Sequence, residues 1–210
     1  MSDRTLVFTL AVALALLLAI SGVAPYDRGT WLMETAPIFV AVPLMAWSYK
    51  RFPLTRLLYV LIFLHAVILL TGGAYTYARV PLGFWMQHVL GGDRNPYDKI
   101  GHFAQGFVPA LVARELFIRK GYVRGRLMIP FLCLSVAMAI SACYELVEWG
   151  AALALGQGAD EFLGTQGYIW DTQSDMFYAL IGATTALVLF SHLHDRAIAR
   201  LGDAVSRATR

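Results

Sequence analysis

Apolar runs of roughly bilayer-spanning length, separated by short polar turns, set the pattern of this chain. Thr5 to Ala24 is rich in Leu and Ala and reads as a first helix. Pro25, Asp27, Arg28, Gly29 and Thr30 form the following turn, and Glu34 opens a second apolar run to Tyr49. After Lys50, Arg51, Pro53 and Arg56, a third run spans Leu57 to Gly73 with His65 near its middle. A mixed aromatic stretch follows, with Gly91-Gly92 and Asn95-Pro96 as turn signals. Within it, Pro81 to Val89 predicts a short interfacial helix anchored by Trp85. A fourth span begins at Asp98 and ends at the basic cluster Arg119, Lys120, Arg124 and Arg126. Leu127 to Leu155 predicts a helix longer than the hydrocarbon thickness at about 1.5 Å per residue, so it must tilt, break near Gly150 or protrude. The Gly-rich acidic stretch 157–170 reads as a loop, and Asp171 to His192 as the last span.

The expectation is an all-α, polytopic membrane helix bundle of about six spans, 5–24, 34–49, 57–73, 98–118, 127–155 and 171–192. They form a single domain over 1–195, followed by a basic tail at 196–210. Composition agrees: 58% hydrophobic and 15% charged residues with mean hydropathy +0.59 exclude an ordinary soluble domain and a disordered one. The charged start before Thr5 also resembles a secretory signal. Pro25 directly after the small residues Gly22-Val-Ala24 argues for a retained helix instead. Cys133 and Cys143, ten residues apart in one apolar run, cannot bridge on one helix and read as small buried hydrophobes. No CxxC, P-loop, GxGxxG or Gly-x-Ser-x-Gly motif supports redox or nucleotide chemistry. Nothing in the pattern suggests nucleic acid, and membrane lipids are the expected partners.

Charge placement orients the bundle. Arg4, the 50–56 loop, the 119–126 cluster and the four tail arginines hold twelve of the 17 basic residues, all on one side of a six-span arrangement. That side is expected in the cytoplasm with both termini. The opposite side holds Arg28, Arg79, Arg94 and Lys99 but ten of the 14 acids, an acidic bowl that attracts cations.

Six carboxylates interrupt the stretch from Tyr144 to Asp175: Glu145, Glu148, Asp160, Glu161, Asp171 and Asp175. An ionised group at bilayer depth costs roughly 2.5–3.5 kcal/mol even on mild scales, so such residues need a reason. Helical spacing gathers them. Asp98, His102 and Gln105 share a face of the fourth span beside Lys99. Ser141, Glu145 and Glu148 share a face of the fifth, and Asp171 and Asp175 one of the sixth. A bundle turns these three faces toward each other rather than toward lipid.

The constellation suits a divalent-metal or acid–base centre of His102, Glu145, Glu148 and Asp175, with Asp98 and Asp171 as supporting or alternative ligands. Carboxylates with one imidazole accept Zn, Mn, Fe or Mg. Without a metal, neighbouring acids would share a proton, which suits proton transfer. Plainer roles compete at each position. Asp98 and Asp171 sit where carboxylates cap helices, and His102 and His65 could be core histidines. Glu145 and Glu148 could make interhelical bonds, and Asp160 and Glu161 fit a solvated loop. Arg114-Glu115 reads as a snorkelling inner-interface pair, and Trp31, Tyr75 and Tyr77 as aromatic belt.

The motifs NPYDKIGHFAQG, YELVEW, ALGQGADEFLGTQG and WDTQSDMF resemble the YjdF-type bacterial inner-membrane proteins over nearly the whole chain. This resemblance implies a multi-pass protein of the bacterial inner membrane. More distantly, Lys-x-x-His, then Glu-x-x-Glu, then paired acids before a Gly-containing span resembles the VanZ-like superfamily of glycopeptide-resistance-associated membrane proteins. In that resemblance Lys99, His102, Glu145, Asp175 and Gly182 take the matching positions.

Three functions follow as expectations. The first is a metal-dependent hydrolase or transferase acting at the outer leaflet on a lipid-linked or envelope substrate. The second is a small proton- or cation-coupled transporter, and the third a non-enzymatic envelope-stress or resistance protein. No polar series descends the inner halves of the spans, which favours a site open to one side.

Overall fold

The computed structural model describes residues 2–155 and 166–208. Its helices are α1 (Asp3–Val23), α2 (Arg28–Ser48), α3 (Arg56–Tyr75), α4 (Pro81–Leu90), α5 (Tyr97–Lys120), α6 (Met128–Leu155), α7 (Asp171–Leu189) and α8 (Ser191–Ala208), with one 3₁₀ turn at Tyr77–Arg79. The described residues contain no strand, and the chain is an all-α membrane helix bundle.

Helix starts follow side-chain chemistry. Ser2 accepts from the Thr5 amide, Thr55 from the Leu58 amide, and Asp27 from the Thr30 amide at 2.7 Å. The Thr30 amide and hydroxyl hold the Asp27 carboxyl below its ordinary range. This cap starts α2 at Arg28, so Glu34 lies inside the helix instead of opening it.

Helix α5 is the hub, packing most extensively on α7, then on α6 and α3, while α1 and α2 pack on α3. Helices α1, α2, α3 and α6 are each long and apolar enough to cross a bilayer. Helix α5 falls short of that test because Asp98, Lys99, His102, Gln105, Arg114 and Glu115 dilute its apolar residues. Its 24 residues still reach about 36 Å. Ringed by other helices, it presents little surface to lipid and can afford polarity. Helix α6 runs unbroken through Gly150 for 28 residues.

Helices α7 and α8 meet at a bend of 63° and are long and apolar enough to cross a bilayer only as a pair, so four or five candidate spans stand among the described residues where six were expected. The amphipathic tail therefore begins at Ser191, with Ala197, Ile198 and Leu201 turned partly inward and Arg196 and Arg200 exposed. Helix α4 lies at the opposite end, with Phe84, Trp85, Val89 and Leu90 exposed as an interfacial helix requires. Tyr77, read from sequence as belt, is buried instead, its ring against Gly72 and Gly101. The cysteines also differ from expectation: Cys133 is buried, but Cys143 is exposed on the outside of α6.

Candidate metal centre

The site exists because two helices approach backbone to backbone. A Cβ on Gly106 of α5 would lie 1.8 Å from the Ala179 carbonyl oxygen, and one on Gly182 of α7 would lie 2.0 Å from the Phe103 carbonyl oxygen. Reciprocal glycines, extended by buried Ala110, Ala183 and Ala186, let the axes close to a distance that side chains would forbid. One turn before the crossing, α5 carries His102 and α7 carries Asp175.

His102 is the centre of the cluster. Its Nε2 lies 3.3 Å from Asp98 Oδ1 and 3.9 Å from Asp175 Oδ2, and its Nδ1 lies 3.8 Å from Glu145 Oε1. Asp98, His102 and Asp175 offer ligating atoms that all lie within 4.8 Å of one another. Asp175 is 2% exposed and Glu145 7%, and Asp175 Oδ1 and Glu145 Oε1 are buried without a hydrogen-bond partner. Orphaned carboxylate oxygens cost free energy unless a proton or cation serves them.

Gln105 makes the arrangement more specific. His102 Nδ1 lies 3.2 Å from Gln105 Oε1, and a proton on Nδ1 would donate to that carbonyl oxygen. Nε2 faces two carboxylates, Asp98 and Asp175. A proton on Nε2, or a cation shared with the two carboxylates, satisfies that juxtaposition, and metal-bound histidines characteristically donate their other N–H as Nδ1 can to Gln105.

Each sequence-derived residue has a definite place. Asp98, His102, Glu145 and Asp175 converge. Asp171 is buried beside them but turns to Arg94, whose Nη1 lies 2.6 Å from Asp171 Oδ1. Glu148 is half-buried, within electrostatic reach of Glu145 and of Glu34. Neither Asp98 nor Asp171 caps its helix: the cap positions are Pro96 and Trp170, and neither makes a side-chain cap bond. Ser141 is buried with an unpartnered hydroxyl on the same face as Glu145. Asp160 and Glu161 lie outside the described residues.

Two participants lie outside the sequence-derived site, Glu34 with its partner Tyr144, and His65. Glu34 of α2 is 7% exposed and accepts from Tyr144 Oη at 3.1 Å, with Asp98 and His102 within electrostatic reach. His65 of α3 has a buried, unpartnered Nε2 within electrostatic reach of His102. The cluster thus draws on five helices. The available signal was Glu34 itself, a lone carboxylate in an apolar run.

A second polar cluster lies at the other end of α5. Glu115 is fully buried and accepts from the Thr55 amide (3.0 Å), the Thr55 hydroxyl (2.8 Å), Arg119 Nη1 (2.6 Å) and His194 Nε2 (3.0 Å). Arg114 does not pair with Glu115. It meets Asp195 at 2.7 Å, because consecutive helical residues point about 100° apart. Arg56 also pairs with Asp3, joining the starts of α1 and α3 at this end. Between the two clusters lies an apolar layer of Leu58, Phe107, Val108, Leu111 and Ala186.

Comparison with known proteins agrees with the architecture. Residues 6–196 match the family described as "Predicted membrane protein (DUF2238)". The inner membrane protein YjdF of Escherichia coli (strain K12) is 59% identical over 194 residues, covering 92% of this chain and 93% of the relative. No solved structure matches the chain.

Proposed function

This inner-membrane chain belongs to the DUF2238 family of membrane proteins, and from that premise we propose that its carboxylate–histidine cluster is a divalent-cation centre serving hydrolysis or group transfer on a lipid-linked or envelope substrate. The observation that carries the reading is His102 Nε2 held between Asp98 and Asp175, with ligating atoms of all three within 4.8 Å of one another and Nδ1 beside Gln105. Atoms sharing one ion at bonds of about 2.1 Å lie at most about 4.2 Å apart, and 3.3 and 3.9 Å fall inside that limit. Asp98, His102 and Asp175 are the ligands, with Glu145 beside them at the other ring nitrogen of His102. The oxygen-rich donors with one imidazole suit Zn, Mn, Fe or Mg.

A bound cation would supply an acidified water and charge stabilisation at the ester being attacked. The protein's own groups do the rest. Glu145 takes a proton from water as the water oxygen bonds to the electrophilic phosphorus or carbonyl carbon. The ester bond to the leaving oxygen breaks, and that oxygen recovers the proton. Glu148, Glu34 and Tyr144 extend the proton-holding network behind Glu145. The remote resemblance to VanZ-like proteins passes through Lys99, His102, Glu145, Asp175 and Gly182, which lie in the cluster or at the crossing that forms it.

A carrier would need a polar route between the two clusters. Along α5, His102 and Glu115 are separated by about 20 Å, filled with Phe107, Val108 and Leu111. That dry layer supports a one-sided site.

Elemental analysis of the purified protein tests the proposal. About one tightly held divalent ion is expected per chain, lost in Asp175→Asn and His102→Ala. Metal-free protein that neither binds nor is stabilised by Zn, Mn, Fe or Mg would sink it and leave a proton-handling or non-enzymatic role.

A further inference from the structure

We propose that the cavity beside the cation centre receives a phosphate ester, with Lys99 as the residue that holds its anionic oxygens. This rests on the cation-centre reading and names the substrate class of that same site. The cavity has a volume of about 540 Å³, within the usual range for small-ligand sites, and is walled by Gln87, Arg94, Pro96, Lys99, Gln166 and Tyr168.

Its charge is unusual for its surroundings. Of Arg28, Arg79, Arg94 and Lys99, the basic residues of the acidic end, Arg94 and Lys99 both line this one cavity. Exposed Asp93 is the carboxylate on its wall. Arg94 is fixed by Asp171 at 2.6 Å and by the Tyr168 ring, 4.4 Å from the guanidinium carbon. Lys99 rests over the Tyr178 ring at 5.2 Å, and among the described residues no carboxylate forms an ion pair with it. An ammonium on a cavity wall that is paired with no carboxylate among the described residues is poised to receive an anion.

The wall is built rather than loose. Asn95, 1% exposed, donates its backbone N–H to Gln166 Oε1 and accepts from Gln166 Nε2 at its own carbonyl, both at 3.0 Å. Its side chain bonds Val80 O and the Tyr97 amide, in a recess open only because residue 83 is glycine.

Location selects a phosphate ester among anions. Arg94, on the cavity wall, is bonded to Asp171, which is buried within electrostatic reach of Asp98 and His102, so an anion in the cavity lies beside the proposed cation. A tetrahedral phosphate can present one oxygen to Lys99 and one to the cation, as phosphoryl-transfer sites require. In the hydrolytic step, water oxygen bonds to phosphorus, the P–O bond to the leaving oxygen breaks, and the water proton reaches that oxygen through Glu145. Leu90 of α4, exposed and on the cavity wall, offers an apolar edge where an acyl chain would remain in the bilayer.

The test uses full-length protein in detergent, titrated calorimetrically with Mn²⁺, inorganic phosphate and short-chain phosphatidic acid. Wild type should bind both phosphate probes. Lys99→Gln should weaken them about tenfold with Mn²⁺ affinity unchanged, and Lys99→Arg should retain them. Tighter binding of phosphatidic acid identifies a lipid headgroup as the source; equal binding identifies a free phosphate. Protein that binds Mn²⁺ but neither phosphate probe, or binds them equally well in Lys99→Gln, overturns this inference and leaves the cation centre standing. Phosphate binding through Lys99 in protein that takes no metal would remove the cation centre while keeping the anion site.

Discussion

Replacing Gly106 with alanine tests whether the α5–α7 crossing sets the geometry of the cluster. The new Cβ would lie 1.8 Å from Ala179 O, 2.6 Å from Ala179 C and 2.8 Å from Ala179 Cα, all backbone atoms that no rotamer change can move aside. Contacts under 3.0 Å are essentially never seen for real Cβ atoms, so α7 must retreat by about 1.2 Å. Ala179 follows Asp175 by one turn, and Gly106 follows His102 by one turn. The displacement therefore reaches the site with little loss, and the 3.9 Å between His102 Nε2 and Asp175 Oδ2 becomes about 5 Å. Two atoms on a common ion cannot be more than about 4.2 Å apart, so Asp175 drops out of the ligand set. Overpacking should cost about 1–3 kcal/mol of stability, and loss of a well-placed ligand should weaken Mn²⁺ binding by at least about tenfold. Thermal unfolding and Mn²⁺ calorimetry on the purified variant read the two effects separately. Gly150→Ala is the control, since a Cβ there meets nothing within 4 Å. Unchanged Mn²⁺ affinity in a destabilised Gly106→Ala would refute the link between crossing and site. An unchanged melting temperature would refute the close approach itself.

Two further predictions concern the other end of the molecule. Glu115→Gln leaves Arg119 and His194 without their buried carboxylate and should destabilise the protein by about 3–5 kcal/mol in denaturant unfolding, with Mn²⁺ affinity unaffected; a loss below about 1 kcal/mol would show that the network is not holding α3, α5 and α8 together. A C-terminal reporter should be active only in the cytoplasm, because the basic loops, the tail and the Asp3–Arg56 pair lie at one end; periplasmic activity would reverse the sides.

Much of this fold is legible in the sequence because lipid imposes one strong rule: each span needs about 20 apolar residues, and each break shows as a turn. The α3, α4 and α6 boundaries follow from that rule to within a few residues. The start of α2 does not, since Asp27 caps it through a local bond that hydropathy ignores. The same local bond hides Glu34, which reads as an end residue until α2 is seen to begin at Arg28. Spacing puts Asp98 with His102 and Asp171 with Asp175 on common faces, because four residues make nearly one turn. It cannot say that Asp171 turns toward Arg94, 77 residues away in sequence. Nor can it pair Glu115 with His194, since that contact depends on the 63° bend between α7 and α8. The Gly106 and Gly182 crossing is written in small residues, yet small residues are common in membrane helices and only the three-dimensional approach singles these two out.

The apolar layer of Leu58, Phe107, Val108, Leu111 and Ala186 has an electrical consequence. An energised inner membrane carries a potential worth roughly 2.3 kcal/mol per elementary charge per 100 mV, and it falls mainly across low-dielectric material. With the basic end inside, as the positive-inside bias predicts, that drop lies below His102. A charge arriving at the outer cluster crosses little of the field, while the Glu115–His194 network sits at cytoplasmic potential. Occupancy of the outer cluster should therefore follow the ionic composition of the periplasm and be nearly indifferent to depolarisation of the cell.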